Sequence, residues 1–239
     1  MGSKPMGPII RRLGTLLLVL GIAAVAWSIV VWRWQDPFTA LYTKYEQHRL
    51  AGQYKRRAAG FRAPRLRGAT VAAVEQRLAA EARRYRAHVK RGQAIGRIKV
   101  PRLGLNMVLV EGTDHDSLTK GPGRDRRSFM PGESRLVYIA GHRTTFLAPF
   151  AHIERLRRGD LVTIEVPYGT FEYRITRHRI VRSDDLSVLR SPRHEQLELQ
   201  ACHPRFFASH RYVAYARLAK VRAGGTIFAV GASALAAAG

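Results

Sequence analysis

Leu197-Glu198-Leu199-Gln200-Ala201-Cys202-His203-Pro204 is the stretch whose reading decides the fold. Leu197, Leu199 and Ala201 alternate with Glu198 and Gln200, the period of a strand with one buried face. Pro204 cannot donate to a sheet ladder, so the spacing predicts a strand that ends close to Cys202. After a short loop the pattern resumes in Arg211–Leu218, rich in Tyr and Val. The only cysteine of the chain therefore falls at a strand end, with Arg211 opening the next strand.

Outward from this pair, the period is two from Ala94 onward. Strands are predicted at Ile95–Val100, Leu105–Val110, Arg135–Ala140, Leu161–Val166, Phe171–Val181, Leu197–Ala201 and Arg211–Leu218. Pro101–Gly104 and Pro167–Thr170 are turn signals, the second closing a hairpin. Gly112–Glu133, holding Gly121-Pro122-Gly123 and Pro131-Gly132, reads mostly as loop. Many short strands joined by Gly/Pro loops imply a mainly β, closed barrel or sandwich.

The N-terminal third has a different period. Leu13–Trp32 is free of charge and long enough to cross a bilayer, with Arg11 and Arg12 before it and Trp27, Trp32 and Trp34 at its far end. It exceeds the apolar core of a signal peptide and ends in Val-Val-Trp-Arg-Trp, so it reads as a retained signal anchor. Lys4, Arg11 and Arg12 favour a cytoplasmic N-terminus, although the segment after the span is more basic still. Asp36-Pro37 opens a predicted helix ending near Leu50, and Gly52–Gly68 reads as a basic linker. Val71, Val74, Leu78, Ala82, Tyr85 and Val89 mark a second helix over Thr70–Arg91, stopped by Gly92. The Ala- and Gly-rich end, Gly224–Gly239, reads as a disordered or surface-associated tail. The chain thus divides into residues 1–12 (cytoplasmic), 13–32 (signal anchor), 33–93 (basic helical linker), 94–220 (β domain) and 221–239 (tail).

The net charge of +24, mostly from arginine, calls for anionic surroundings: lipid, wall polymer or nucleic acid. One cysteine excludes an internal disulfide and a cysteine-built zinc site. Nucleophilic cysteine catalysis needs a thiolate, a proton carrier and positive charge at the nascent oxyanion. Cys202 alone supplies the first. For the second, His203 should point away from its neighbour, while His210 and His142, in Ala-Gly-His-Arg-Thr-Thr, both stay open. Gly141 is read there as allowing a sharp turn. Arg211 is a cation marked only by its place. Glu111, Asp114, Asp116, Asp184 and Asp185 read as scattered surface acids, and no metal or cofactor is expected.

Taken together, Tyr-Ile-Ala-Gly-His-Arg-Thr-Thr (138–145), Pro149-Phe150, Leu-Glu-Leu-Gln-Ala-Cys-His-Pro (197–204) and Ser-His-Arg-Tyr (209–212) resemble the sortase family. The likeness is to the class E type of high-GC Gram-positive bacteria. Leu118–Gly123 and the Pro131-Gly132 turn also match, so the resemblance runs from about Ala94 to Leu218. One departure is Ala201, where many sortases carry Thr before the cysteine. The resemblance implies an eight-stranded sortase-type β-barrel with short helices, with His142, Cys202 and Arg211 as the catalytic residues. It implies a membrane-held, extracytoplasmic cysteine transpeptidase. Such an enzyme cleaves between Thr and Gly of a C-terminal sorting motif (LAxTG- or LPxTG-like) on secreted proteins, through a thioester. It passes the acyl group to an amine of a cell-wall precursor or a pilin lysine. The positive charge then serves attraction to anionic lipid and wall polymer, not nucleic acid. The alternatives are another wall-acting cysteine enzyme, or a membrane-anchored basic protein that binds wall polymer or DNA.

Overall fold

The computed structural model describes residues 7–34, 37–61 and 70–229. Asp36 and the end of the chain beyond residue 229 lie outside the described residues, as do residues 62–68 of the expected linker.

Among the described residues, nine strands follow three helices: α1 (Gly7–Trp34), α2 (Pro37–Ala59), α3 (Val71–His88), β1 (Ala94–Val100), β2 (Leu105–Glu111), a one-turn α4 (His115–Leu118), β3 (Gly123–Arg124), β4 (Leu136–Ala140), β5 (Leu161–Val166), β6 (Gly169–Arg182), β7 (Gln196–His203), β8 (His210–Ala223) and β9 (Thr226–Ala229). Eight strands pair in the order β6-β5-β1-β2-β3-β4-β7-β8, and β8 returns to β6, so the ring closes. β9 adds beside the end of β8 through Lys220–Ala223. The inward positions carry the core: Ile98, Leu109, Ile139, Ile164, Phe171, Tyr173, Leu197, Leu199, Ala201 and Ala214 fall in one buried cluster. Closure removes free sheet edges and lets alternating apolar side chains fill the interior.

Two parts of this sheet were not foreseen. β3 is only two residues long, yet it joins β2 in parallel and β4 in antiparallel fashion and so bridges the gap between them. It sits inside the segment read as mostly loop. Gly123 is required there, because an added Cβ would lie 2.0 Å from the Gly112 carbonyl oxygen. Likewise β8 runs on to Ala223 and turns through Gly224 and Gly225 into β9, so residues 224–229 are a hairpin, not a disordered tail. Glu111 corrects a third expectation. It is buried, and its carboxylate takes both Nε and Nη2 of the equally buried Arg124, which also donates to the Ser128 carbonyl at 2.6 Å.

The helices are packed onto the barrel. α2 continues past Leu50 and through Gly52 to Ala59, overriding the linker reading. Leu50, Ala51 and Tyr54 lie against Ala94, Val108 and Val110, and Arg57 donates to the Ala94 carbonyl at 2.8 Å. This packing outweighs the roughly 1 kcal/mol that glycine costs in a helix. α3 buries Val74, Leu78, Ala82 and Tyr85, while Val71, in its first turn, is exposed. α1 contains Ile10–Val30, a stretch of 21 residues apolar enough to cross a membrane, none of them buried by the rest of the chain.

Candidate active site

Strand register builds the site. β4 and β7 run parallel with Ala140 beside Gln200, and the Gly141 N–H continues the ladder to the Gln200 carbonyl at 3.0 Å. Two residues further along each chain come His142 and Cys202. On the other side, β7 and β8 are antiparallel, with Cys202 directly opposite Arg211. Since Val137, Ile139, Leu199 and Ala201 face the interior, period two turns Cys202 and Arg211 to the outer face. Three neighbouring strands thus bring His142, Cys202 and Arg211 to one end of the barrel.

Gly141 serves this geometry by close approach rather than by a left-handed turn. A Cβ there would meet the Phe150 ring at 2.7 Å, so only glycine lets Phe150 pack beneath the His142 loop. That loop then passes through positive φ at Phe146, Leu147 and Ala148 before the Phe150 N–H closes it on the His142 carbonyl at 3.1 Å.

The His142 ring is half-buried, with its centroid 5.0 Å from that of Phe146. Its Nε2 is covered and has no hydrogen-bond partner among the described residues. Burial, seconded by the neighbouring His115, holds its pKa below the ordinary histidine value. A free ring nitrogen is what a proton carrier needs. Arg211 donates to the carbonyls of Ala208 and His210, at 2.7 and 3.0 Å, so its guanidinium is held against the β7–β8 loop. His210 itself lies beyond Cys202 on β8, opposite His203.

Arg143 is the site residue that sequence reasoning missed. Its side chain is only 6 % exposed. One nitrogen, Nη1, donates to the Cys202 carbonyl at 3.1 Å and to His203 Nδ1 at 3.0 Å; the other, Nη2, pairs with Glu154 at 2.8 Å. Guanidinium can only donate, so His203 accepts at Nδ1 and is held as the neutral Nε2–H tautomer. Burial and the Arg143 charge keep its pKa below the ordinary value. His203 is thereby committed to a structural bond, and the residue beside the expected proton carrier grips the backbone of Cys202. Among the described residues, no group of three His, Cys, Asp or Glu side chains is arranged to hold a metal ion.

The comparisons agree with this architecture. The Sortase domain family profile matches residues 98–219, just over half of the chain. Sortase D of Bacillus subtilis is 35% identical over 130 residues, which is 53% of this chain and 64% of that protein. Sortase A of Listeria monocytogenes is 22% identical over 134 residues, 56% of this chain and 60% of that protein. The chain therefore spans less than two thirds of the length of either relative. Among solved structures, sortase E from Streptomyces avermitilis is 28% identical at a TM-score of 0.51, covering 56% of this chain and 93% of its own. A Clostridium perfringens sortase D5 shares the fold at a TM-score of 0.59 and 23% identity, covering 73% of this chain and 98% of its own. With the barrel order, the three strand ends and the profile match in accord, the chain belongs to the sortase family.

Proposed function

We propose that the protein is a membrane-anchored cysteine transpeptidase acting through Cys202, His142 and Arg211. The observation that carries this reading is the register: parallel β4–β7 and antiparallel β7–β8 pairing sets all three side chains at the same end of the barrel. The Cys202 thiolate attacks the carbonyl of Thr in a Thr–Gly bond near a substrate's C-terminus. Arg211, once turned from its loop carbonyls, and backbone N–H groups stabilise the oxyanion. The His142 imidazolium gives its proton to the departing glycine amine, leaving an acyl thioester on Cys202. An incoming amine, from a cell-wall precursor or a pilin lysine, then attacks the thioester, passes its proton to His142 and expels Cys202 as the thiolate, which restores the starting thiolate and imidazolium.

The apolar stretch Ile10–Val30 supplies the anchor. We place the N-terminus in the cytoplasm and the barrel outside, where secreted proteins with a sorting motif meet their acceptors. The arginine-rich surface then faces anionic lipid and wall polymer.

The test incubates the protein with LAxTG and LPxTG peptides plus an amine acceptor and reads the products by mass spectrometry. Cleavage after Thr with amine transfer, absent in Cys202→Ala, is the expected result, and the two peptides rank the motif. Hydrolysis without transfer even at high acceptor would make the protein a peptidase. A folded protein whose Cys202 titrates but cleaves no member of a wider peptide library would overturn the reading.

A further inference from the structure

The structure carries an exposed apolar stripe that the catalytic site does not use. Phe38, Leu41, Tyr42 and Tyr45 recur at helical spacing on one side of α2 and are 72, 70, 46 and 66 % exposed. The side turned toward the barrel is different: Thr43, Glu46 and Leu50 are buried, and Gln47 bonds β2. In its first turns α2 therefore meets the barrel through polar side chains and turns its apolar side outward, uncovered by the barrel. Further along the uncovered side the sequence turns basic, with Arg49 half-exposed beside Glu46 and Arg56 exposed.

Position says what covers the stripe. Phe38 lies against Trp27, with ring centroids 5.7 Å apart. Trp27 is inside the apolar stretch Ile10–Val30, three residues from its end, which is about 4.5 Å of helix. The first turn of α2 therefore folds back to the depth at which α1 would leave the hydrocarbon. Aromatic residues with polar tips, followed by arginine, match the chemistry of that boundary, where rings meet acyl chains and cations meet phosphates.

We propose that the first two turns of α2 lie in the headgroup–acyl boundary of a lipid bilayer, inserting Phe38, Leu41, Tyr42 and Tyr45. The proposal rests on reading α1 as a membrane span. It has a consequence for the site, because the same turn touches the loop of the expected proton carrier. The Phe146 N–H donates to Thr39 Oγ1 at 3.1 Å, and the Phe146 ring packs on His142. The proposed catalytic end of the barrel is thus tied, through the Phe146–Thr39 hydrogen bond, to the membrane surface, where a lipid-linked or membrane-tethered reactant would arrive.

The full chain, in a Cys202→Ala background that leaves no native thiol, takes single cysteines at Leu41, Tyr45, Arg84 and Leu18. Each is labelled with an environment-sensitive fluorophore and reconstituted into vesicles of phosphatidylcholine and phosphatidylglycerol with and without lipids spin-labelled near the headgroup. Arg84, exposed on α3, is the aqueous reference, and Leu18, mid-α1, reports the span itself. Blue-shifted emission at 41 and 45, with loss of most of the signal to the shallow quencher, is expected, while 84 is untouched. Labels at 41 and 45 that behave like 84, while 18 lies in the bilayer, overturn the proposal and leave the span standing. A label at 18 that reads as aqueous overturns both. Emission at 41 and 45 that is shifted yet unquenched, with cross-linking between copies, replaces the bilayer by self-association and also overturns it.

Discussion

Arg143 is the residue whose loss should be most informative at the proposed active site. It ties the loop carrying His142 to the Cys202 carbonyl, to His203 and to Glu154 in one buried fork. Removing it frees the strand end that aims the thiol, and misplacement of about 1 Å can cost on the order of 100-fold in rate. Arg143→Ala should therefore lower kcat by about that factor with little change in KM, read from steady-state transfer kinetics. Arg143→Lys should recover little, since one ammonium cannot span three acceptors. His115 offers a second test. It is among the causes that hold the His142 pKa down, so His115→Asn should move the midpoint upward and enlarge the imidazolium fraction at neutral pH. The C2–H chemical shift of His142, followed against pH by NMR, measures it; an unmoved or lowered midpoint would refute the coupling.

At the scale of elements, α2 behaves as an extra neighbour for β2. Gln47 Nε2 donates to the Val108 and Lys120 carbonyls at 3.1 and 2.7 Å, and its Oε1 accepts the Val108 N–H at 2.7 Å. One side chain thus satisfies both backbone groups of Val108, beside the point where two-residue β3 takes over. Gln47→Ala leaves these groups without their partner and should destabilise the protein by about 1–3 kcal/mol. Denaturant unfolding of the detergent-solubilised chain would show it as a lower midpoint with an unchanged slope.

Across the whole molecule, stability should depend on pH in part through the buried carboxyls Glu195 and Glu198. Glu198, on the outer face of β7, and Glu195, which accepts from Tyr173 and from the Gly132 and Ser134 N–H groups, are each raised by burial from 4.5 to about 7. A raised folded pKa means that the native state holds a proton the unfolded chain has already lost. Stability from these groups is fully present below 4.5 and declines as pH rises toward about 7. Each could contribute on the order of 3 kcal/mol to that decline. Glu198→Gln keeps the bond from Gln196 while removing the titration, so its stability should vary less over this window than the parent's. Unfolding free energies of parent and variant at several pH values check the sign; a parent that does not lose stability relative to Glu198→Gln as pH rises from 4.5 to about 7 would contradict it.

Sequence alone determined the long strands, because their faces alternate between core and solvent and each residue's polarity records its side. It determined α1 by length and apolarity, and it marked Cys202 as the only thiol. The family motifs singled out His142 and Arg211 where spacing left several histidines open. Tertiary structure decided the rest. β3 is too short to show a period and exists only because β2 and β4 flank it. β9 hides in an Ala- and Gly-rich segment whose pairing comes from the end of β8. Gly52 lies inside a helix because packing against β1 and β2 outweighs its propensity. Arg143 and Glu111 looked like two among many surface charges until folding gave each a buried partner. Local pattern carries what a residue's own neighbours dictate, whereas closure of the ring and pairing of buried charge depend on segments far apart in the chain.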